Sequence, residues 1–451
     1  PLGWFIGWNL TLEYGFSAAA VARGWSSYLV QFLRSVGVYI PSWLAGETVV
    51  GGYFQPAPFA ALICGICTIV LLAGVRESSH VNNIVTGINV SLIVFIVLFG
   101  SFHIENVNYE DFTPYGWSGV FEGSGMVFFS FIGFDSVSTL AGEVRDPGRN
   151  LPIGIVGTLA IATVLYCSVS LVMCGMIRFD QIDIDAPLAE SFRQIGYPGI
   201  ASVVGLGAVT TLTATTLCSL LGQPRIFFQM ARDGLLFKIF GKVSKKRHVP
   251  VFGTVFTGVG AAILGCAMSI DELTSVISVG TLCAFGVVCG GLIVLRYAPP
   301  VGDMSRRAAR QRWLVPTLVA SLGGLALLFS MLGKYVDHWA GYLFPFLFFL
   351  GIVVYIDRAC VLQPTTAAFT CPLMPYIPAL GLLVNCYLLG QLDIMAFVRL
   401  LIWTALGMLI YAFYGIRHSK LNYGEITDSE EEETEQSTLI YKSSGVDLEE
   451  E

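Results

Sequence analysis

The sequence predicts an all-α integral membrane protein, and three features carry that reading. Of 451 residues, 55% are hydrophobic and only 13% charged, and the mean hydropathy of +0.70 is far above that of a water-soluble domain. Apolar runs close to the ~20 residues needed to cross a bilayer recur along the chain. Twelve are found, at roughly 2–22, 58–75, 81–102, 117–141, 153–177, 199–221, 249–269, 273–295, 314–333, 338–356, 370–390 and 393–415. The runs are continuous rather than alternating, which excludes membrane strands. The 49 glycines and 19 prolines suit packed membrane helices, where small residues let backbones approach and neighbours satisfy what proline leaves open.

Lys and Arg set the orientation. With the first run starting at the cytoplasm, the cytoplasmic loops and tail hold nineteen of them. The opposite loops hold five, Arg23, Arg34, Arg178, Arg193 and Lys334, and Arg399 falls inside the last run. The net charge of −7 belongs to the tail, because residues 425–451 carry eleven acids against Lys442, a net of −10 that leaves +3 elsewhere. A tail so acidic cannot bury enough apolar area to fold, so residues 417–451 are expected to be disordered. The basic segment GKVSKKRHVP is explained by the positive-inside rule, and nucleic acid is not an expected partner.

Eleven cysteines suggest redox or metal chemistry, but none falls in an outside loop, so no disulfide framework is implied. Cys64 and Cys67 form a CxxC inside the second run with no His or acid near them, which reads as two small core residues. The five histidines, His80, His103, His248, His338 and His418, are dispersed and supply neither a metal cluster nor a base beside a nucleophile. No enzyme activity and no cofactor are expected.

Taken in order, the chain opens as PLGWFIGWNLTLEYG, already inside a membrane helix with no initiator Met or signal peptide, so its start is expected to be missing. Glu13 lies mid-helix, where a carboxylate must be paired, protonated or turned to a wet cavity. Asn9 and Asn89 match glycosylation sequons, but both fall in helices where they would be unused. Asn89 is the notable polar residue of the third run, as helix-to-helix glue or as part of a site. The loop IENVNYEDFTPYGW is acidic and aromatic, as a headgroup-level anchor would be.

The stretch FFSFIGFDSVSTLAGEVRDPGRNLPIGI, residues 128–155, organises the rest. A Phe-rich helix with Gly133 and then Asp135 near mid-bilayer puts a weakened backbone and a charge where lipid tolerates neither. The functional reading is a binding site at a break; the structural one is a kinked helix whose Asp135 pairs with a neighbour. Glu143, Arg145, Asp146 and Arg149, with Pro147 and Pro152, form a charged hinge that reads as a turn or a cytoplasmic latch. FDQIDIDAPLAESFRQIGYP is amphipathic enough for a short surface helix. Thr213 and Thr216 lie three apart on one helical face, although hydroxyls there commonly bond to their own helix. The last four runs are almost charge-free and read as an annex. In the tail, Ser429 before an acidic run suits an acidophilic kinase, and Glu435-Gln-Ser-Thr-Leu-Ile matches an acidic dileucine pattern that sorting adaptors would read.

Four stretches, GWNLTLEYGFSAAAVARGWSSYL, RESSHVNNIVTGINV, the 128–155 segment, and PRIFFQMARDGLLF with SVGTLCAF and VLRY, resemble the cationic amino acid transporters of the amino acid-polyamine-organocation superfamily. They occur in that family's order and cover most of residues 4–297. The resemblance implies a leucine-transporter-like bundle, with an inverted five-plus-five repeat and four added helices. Twelve helices of an expected fourteen would be present, the first two being absent. It divides the chain into a transport core at 1–297, four further helices at 298–416 and the tail. By similarity, carbonyls around Phe129, Phe131 and Ile132 would accept from the substrate ammonium, Gly133 would permit the break, and Phe129 would cover the substrate. Phe134, Asp135, Thr213 and Thr216 join the candidate site, with Glu13 and Asn89 as coupling or supporting residues. Asn89 falls where some bacterial relatives place a lysine used in proton coupling, and Asn cannot titrate.

The implied function is alternating-access transport of amino acids, cationic ones such as arginine, lysine and ornithine, by potential-driven uniport. A membrane potential alone concentrates a monocation, at about 2.3 kcal/mol per charge per 100 mV. The alternatives are an amino-acid-sensing receptor without net flux and a proton-coupled carrier of neutral amino acids. The expected location is the plasma membrane, or a lysosomal or vacuolar membrane, with the bilayer and the amino acid substrate as partners.

Overall fold

A computed structural model describes residues 2–46, 56–74, 79–110, 112–139, 144, 146–244, 249–299, 305–335, 339–364 and 369–419. The chain begins as α1 (Leu2–Thr11), passes through a π-turn (Leu12–Phe16) and continues as α2 (Ser17–Ser35). This helix runs well past the apolar run that ends near 22. Arg23, expected in an outside loop, lies inside α2, 8% exposed, and its guanidinium donates to the Cys266 carbonyl over 3.4 Å. The reason is the period: Ala18, Ala19, Ala22, Trp25, Ser26 and Val30 continue one buried face, and an arginine is tolerated there because it meets the carbonyl end of another helix.

The short α3 (Ser42–Ala45) is followed by α4 (Pro58–Leu72), α5 (Ser79–Ser101), α6 (Gly116–Val127) and, after a break, α7 (Ser136–Thr139). Next come α8 (Pro147–Met176), α9 (Pro187–Gln194) and α10 (Pro198–Arg232). The amphipathic loop thus contains its short helix as anticipated, in α9. Then follow α11 (Val251–Ala267), α12 (Ile270–Tyr297), α13 (Arg306–Tyr335) and α14 (Trp339–Ala359). The chain ends in α15 (Tyr376–Gln391), α16 (Ile394–Ile410), a second π-turn (Tyr411–Gly415) and α17 (Ile416–His418).

Among the described residues there is no strand, and a helix lies over each of the twelve apolar runs. Six helical stretches among the described residues are long and apolar enough to cross a membrane, in α5, α8, α10, α12, α13 and from α16 through α17, and α4, α11 and α15 are shorter apolar helices. On α8 the side chains of Ile153, Val156, Ile161 and Val164 are all more than 60% exposed, the signature of a surface that faces lipid.

The core forms where α2, α4, α10, α11 and α12 meet around small residues such as Ala18, Ala19, Ala60 and Ala261. Gly258 brings α11 onto Thr68 of α4, leaving no room for a side chain, the close approach that drives packing in a bilayer. A second core joins α12, α13, α14 and α15. The last helices are not set apart from the first: α15 packs on α12 and α6, and α16 packs on α1 and α12. Trp8 and Trp403 stack with centroids 4.6 Å apart. Each indole donates to the other's backbone carbonyl, at 2.9 and 3.3 Å. The tail beyond Ser419, with Ser429 and the dileucine pattern, and Glu143 and Arg145 of the hinge lie outside the described residues.

Candidate functional site

The helix expected to break at Gly133 does so. After α6 the backbone tightens into a 3₁₀ turn over Phe128–Phe131, and Ile132 turns extended at φ −66°, ψ 138°. Gly133 then takes φ +120°, a region that only glycine enters cheaply. Ile132 N–H still reaches the Phe129 carbonyl at 3.1 Å. A run of Phe and Ile has modest helix propensity, so the break costs little local stability. The peptide groups from Ile132 to Asp135 stand outside both flanking helices, and Gly133 faces open space.

Asp135 holds the break together. Its Oδ1 accepts the Gly133 N–H at 3.2 Å, and its backbone carbonyl accepts the Ser138 N–H at 2.9 Å, starting α7. Its Oδ2 accepts the Tyr14 hydroxyl at 2.9 Å. Tyr14 comes from the π-turn, where an extra residue in the helical turn re-aims the side chains that follow. The same turn carries Glu13, which is 2% exposed and close enough to Asp135 for the two carboxyl groups to interact directly. Glu13 Oε2 accepts from Thr281 Oγ at 3.4 Å, and its Oε1 is buried with no hydrogen-bond partner. The break, the π-turn and α12 therefore converge on two acids.

Aromatic rings frame this point. Phe285, one turn beyond Thr281 on α12, sits 6.1 Å from the Phe128 ring and 5.4 Å from the Phe134 ring, so it contacts both sides of the break. Phe131 points the other way, edge-on to Tyr166 of α8 at 5.4 Å. Phe129 and Ile132 pack against the core of α2, α4 and α10.

The remaining sequence candidates divide. Thr213 and Thr216 lie on α10, and each hydroxyl donates to its own helix, to Val209 and Leu212. Thr213 also accepts the Trp25 indole N–H at 2.8 Å, and Thr216 is fully buried. Asn89 sits half-buried on α5, which packs chiefly against α8 and α10 rather than on the break. Tyr14, Thr281 and Phe285 were not among the sequence candidates. Tyr14 adjoins Glu13 in LEYG and the other two stand in SVGTLCAF, but nothing in either motif signals what it would meet. Two cavities, of about 260 and 370 Å³, lie elsewhere, between α2, α9 and α10 and beside α11.

A membrane bundle in which a discontinuous helix bares peptide groups beside acidic side chains is the architecture of a secondary transporter. The chain belongs to the amino acid permease family: the profile of that family matches residues 1–384, and that of the family's C-terminus matches residues 369–419. It is 35% identical over 479 residues to a vacuolar cationic amino acid transporter of Arabidopsis thaliana, the match covering 93% of this chain and 80% of that protein. A branched-chain amino acid permease of Bacillus subtilis is 32% identical, over 93% of this chain and 78% of its own. A methylthioribose transporter of the same bacterium is 29% identical, with the same coverages. The chain is thus a multi-pass membrane protein of an amino acid transporter family, not an enzyme.

Proposed function

We propose that this transporter carries cationic amino acids, arginine, lysine and ornithine, by alternating access, as a uniport driven by the membrane potential. One observation carries the reading: Asp135, tied to the Tyr14 hydroxyl, stands beside the break with the buried Glu13 on the adjoining π-turn, and a carboxylate in a low-dielectric site attracts a basic side chain strongly. In this reading the peptide carbonyls near Phe129, Phe131 and Ile132 hold the α-ammonium, the Phe129 carbonyl with the lone pair that its bond from Ile132 N–H leaves over, and Gly133 permits the break. Phe129 and Phe134 cover the substrate, and Thr213 and Thr216 back the pocket from α10. The full fold would be the fourteen-helix inverted-repeat bundle with twelve helices in this sequence, a core at 1–297 and four added helices at 298–416. Sorting adaptors would read the acidic tail. Uniport rests on Asn89, which has no titratable proton to exchange. The relative named for cationic amino acids supports the substrate class, whereas the branched-chain permease keeps neutral substrates in view.

Counterflow in proteoliposomes tests it, with labelled arginine, lysine, ornithine and alanine and the variants Phe129→Ala, Asp135→Asn and Glu13→Gln. The expected result is arginine and lysine exchange without proton movement, weakened in all three variants, with Glu13→Gln lowering the ratio of arginine to alanine. Equal preference for alanine in the wild type overturns the cationic assignment. Substrate-driven alkalinisation overturns uniport, and binding without counterflow favours a receptor.

A further inference from the structure

The turn Lys238–Gly241 and the start of α11 border a shallow, open groove of about 370 Å³ whose walls include Ile239, Val243, Val251, Phe252 and Val255, with Lys242 at its edge. Phe240 points inward and packs on Phe227, Phe252 and Phe256, with centroids 4.8 to 5.5 Å apart, fixing the turn against α10 and α11. Lys238 and Lys242 are exposed. They open a segment with five basic residues between 238 and 247 and no acid between Asp233 and Asp271. α10 ends at Arg232 and α11 begins at Val251, so the groove lies where both helices leave the apolar layer, on the side that the Lys and Arg imbalance assigns to the cytoplasm.

We propose that this groove binds an anionic phospholipid of the cytoplasmic leaflet, an acyl chain lying along the apolar wall and the headgroup between Lys238 and Lys242. A cytoplasmic leaflet presents anionic headgroups at this depth, and lysines held beside an apolar wall are complementary to such a molecule in both charge and polarity. The competing occupant is the chain's own acidic tail. It departs close by, since Tyr414 lies 4.7 Å from the Phe237 ring. Its charge would suit the lysines, but its run of glutamates would gain nothing from the wall of Val, Ile and Phe.

Full-length protein in phosphatidylcholine nanodiscs is titrated with phosphatidylserine, and retained lipid is counted by native mass spectrometry. The wild type is expected to retain phosphatidylserine over phosphatidylcholine. Lys238→Gln with Lys242→Gln is expected to lose about thirty-fold in affinity, roughly five-fold per lysine. Val255→Trp, which fills the groove and leaves the charges intact, is expected to lose retention too. Arg306→Gln with Arg310→Gln makes the same charge change on α13 and is expected to stay within about two-fold of wild type. Equal losses in the two double variants, or no preference between the lipids, overturn the proposal. It is likewise overturned if the wild type retains no phosphatidylserine until Glu430, Glu431, Glu432 and Glu433 are changed to Gln, because the tail then holds the groove.

Discussion

Tyr14 donates its hydroxyl to Oδ2 of Asp135 over 2.9 Å, joining two chain segments 121 residues apart. One partner stands on a π-turn and the other on the far side of a helix break, so two irregularities of backbone are tied by one hydrogen bond. Irregular backbone at membrane depth persists where protein or a polar cavity satisfies it, and this bond is part of that satisfaction.

Tyr14→Phe removes the donor and keeps the ring. A hydrogen bond to a carboxylate contributes about 1.5–3 kcal/mol, and Asp135 keeps its bond from the Gly133 amide. Uptake is expected to fall about ten-fold or more while the melting temperature in detergent drops by only a few degrees. Wild-type uptake in this variant would show that the bond does not shape the site.

Gly133→Ala tests the break without touching any neighbour. Space at Gly133 is open, so the penalty comes from φ +120° alone, of order 1–3 kcal/mol for a residue with a Cβ. Gly123 on α6 also has nothing within contact of an added methyl, and there alanine is expected to be neutral or stabilising by up to about 1 kcal/mol. Uptake should be lost in the first variant and kept in the second, with both inserted at wild-type levels. Loss of uptake in neither would show that the extended turn is not needed for transport.

The break was legible in the sequence because glycine and aspartate interrupt an otherwise apolar run at a depth where each needs a reason. The π-turn was not: LEYGF carries no breaker beyond Gly15, and the extra residue in the turn answers to contacts with α12 that no local pattern encodes. Arg23 misled for a related reason. A charge after an apolar run reads as a loop, yet the buried face of α2 continues past it and the side chain reaches a helix end that the sequence cannot place. Position was legible on each helix, and pairing between helices was not. Phe285 was quoted within a motif and still not recognised, since its contacts, Phe128 and Phe134, lie more than 150 residues away.

The docking of α16 on α1 gives a stability prediction. Gly407 lets the Trp4 indole N–H reach its carbonyl at 3.2 Å, and a methyl there would fall on the Trp8 indole. Overfilling a tight contact costs about 1–3 kcal/mol. Gly407→Ala is expected to lower the melting temperature, followed by tryptophan fluorescence, whereas Gly324→Ala, with open space on α13, should not. An unchanged melting temperature in Gly407→Ala would mean that α16 is only loosely held to α1.

Glu272 has two partners, and they can be separated by substitution. Its Oε1 meets Arg399 Nη2 at 2.9 Å, linking α12 to α16, while its Oε2 accepts the Ser269 amide and its own amide donates to Ser269 Oγ in a capping box at the start of α12. Glutamine can still accept from the Ser269 amide but carries no charge, so Glu272→Gln deletes the ion pair and spares the cap. Both ends of the pair are about a third or more exposed, and such pairs contribute about 0–1 kcal/mol. Alanine deletes both functions, and loss of a cap bond adds to the pair. Glu272→Ala is therefore expected to destabilise by about 1–2 kcal/mol and Glu272→Gln by less than about 1, in unfolding measured at low and high salt. Both variants should lose the salt dependence, but only the glutamine variant should show little change in stability at high salt. If alanine proves no more damaging than glutamine at high salt, where the pair is screened, the cap bond that glutamine retains contributes nothing measurable.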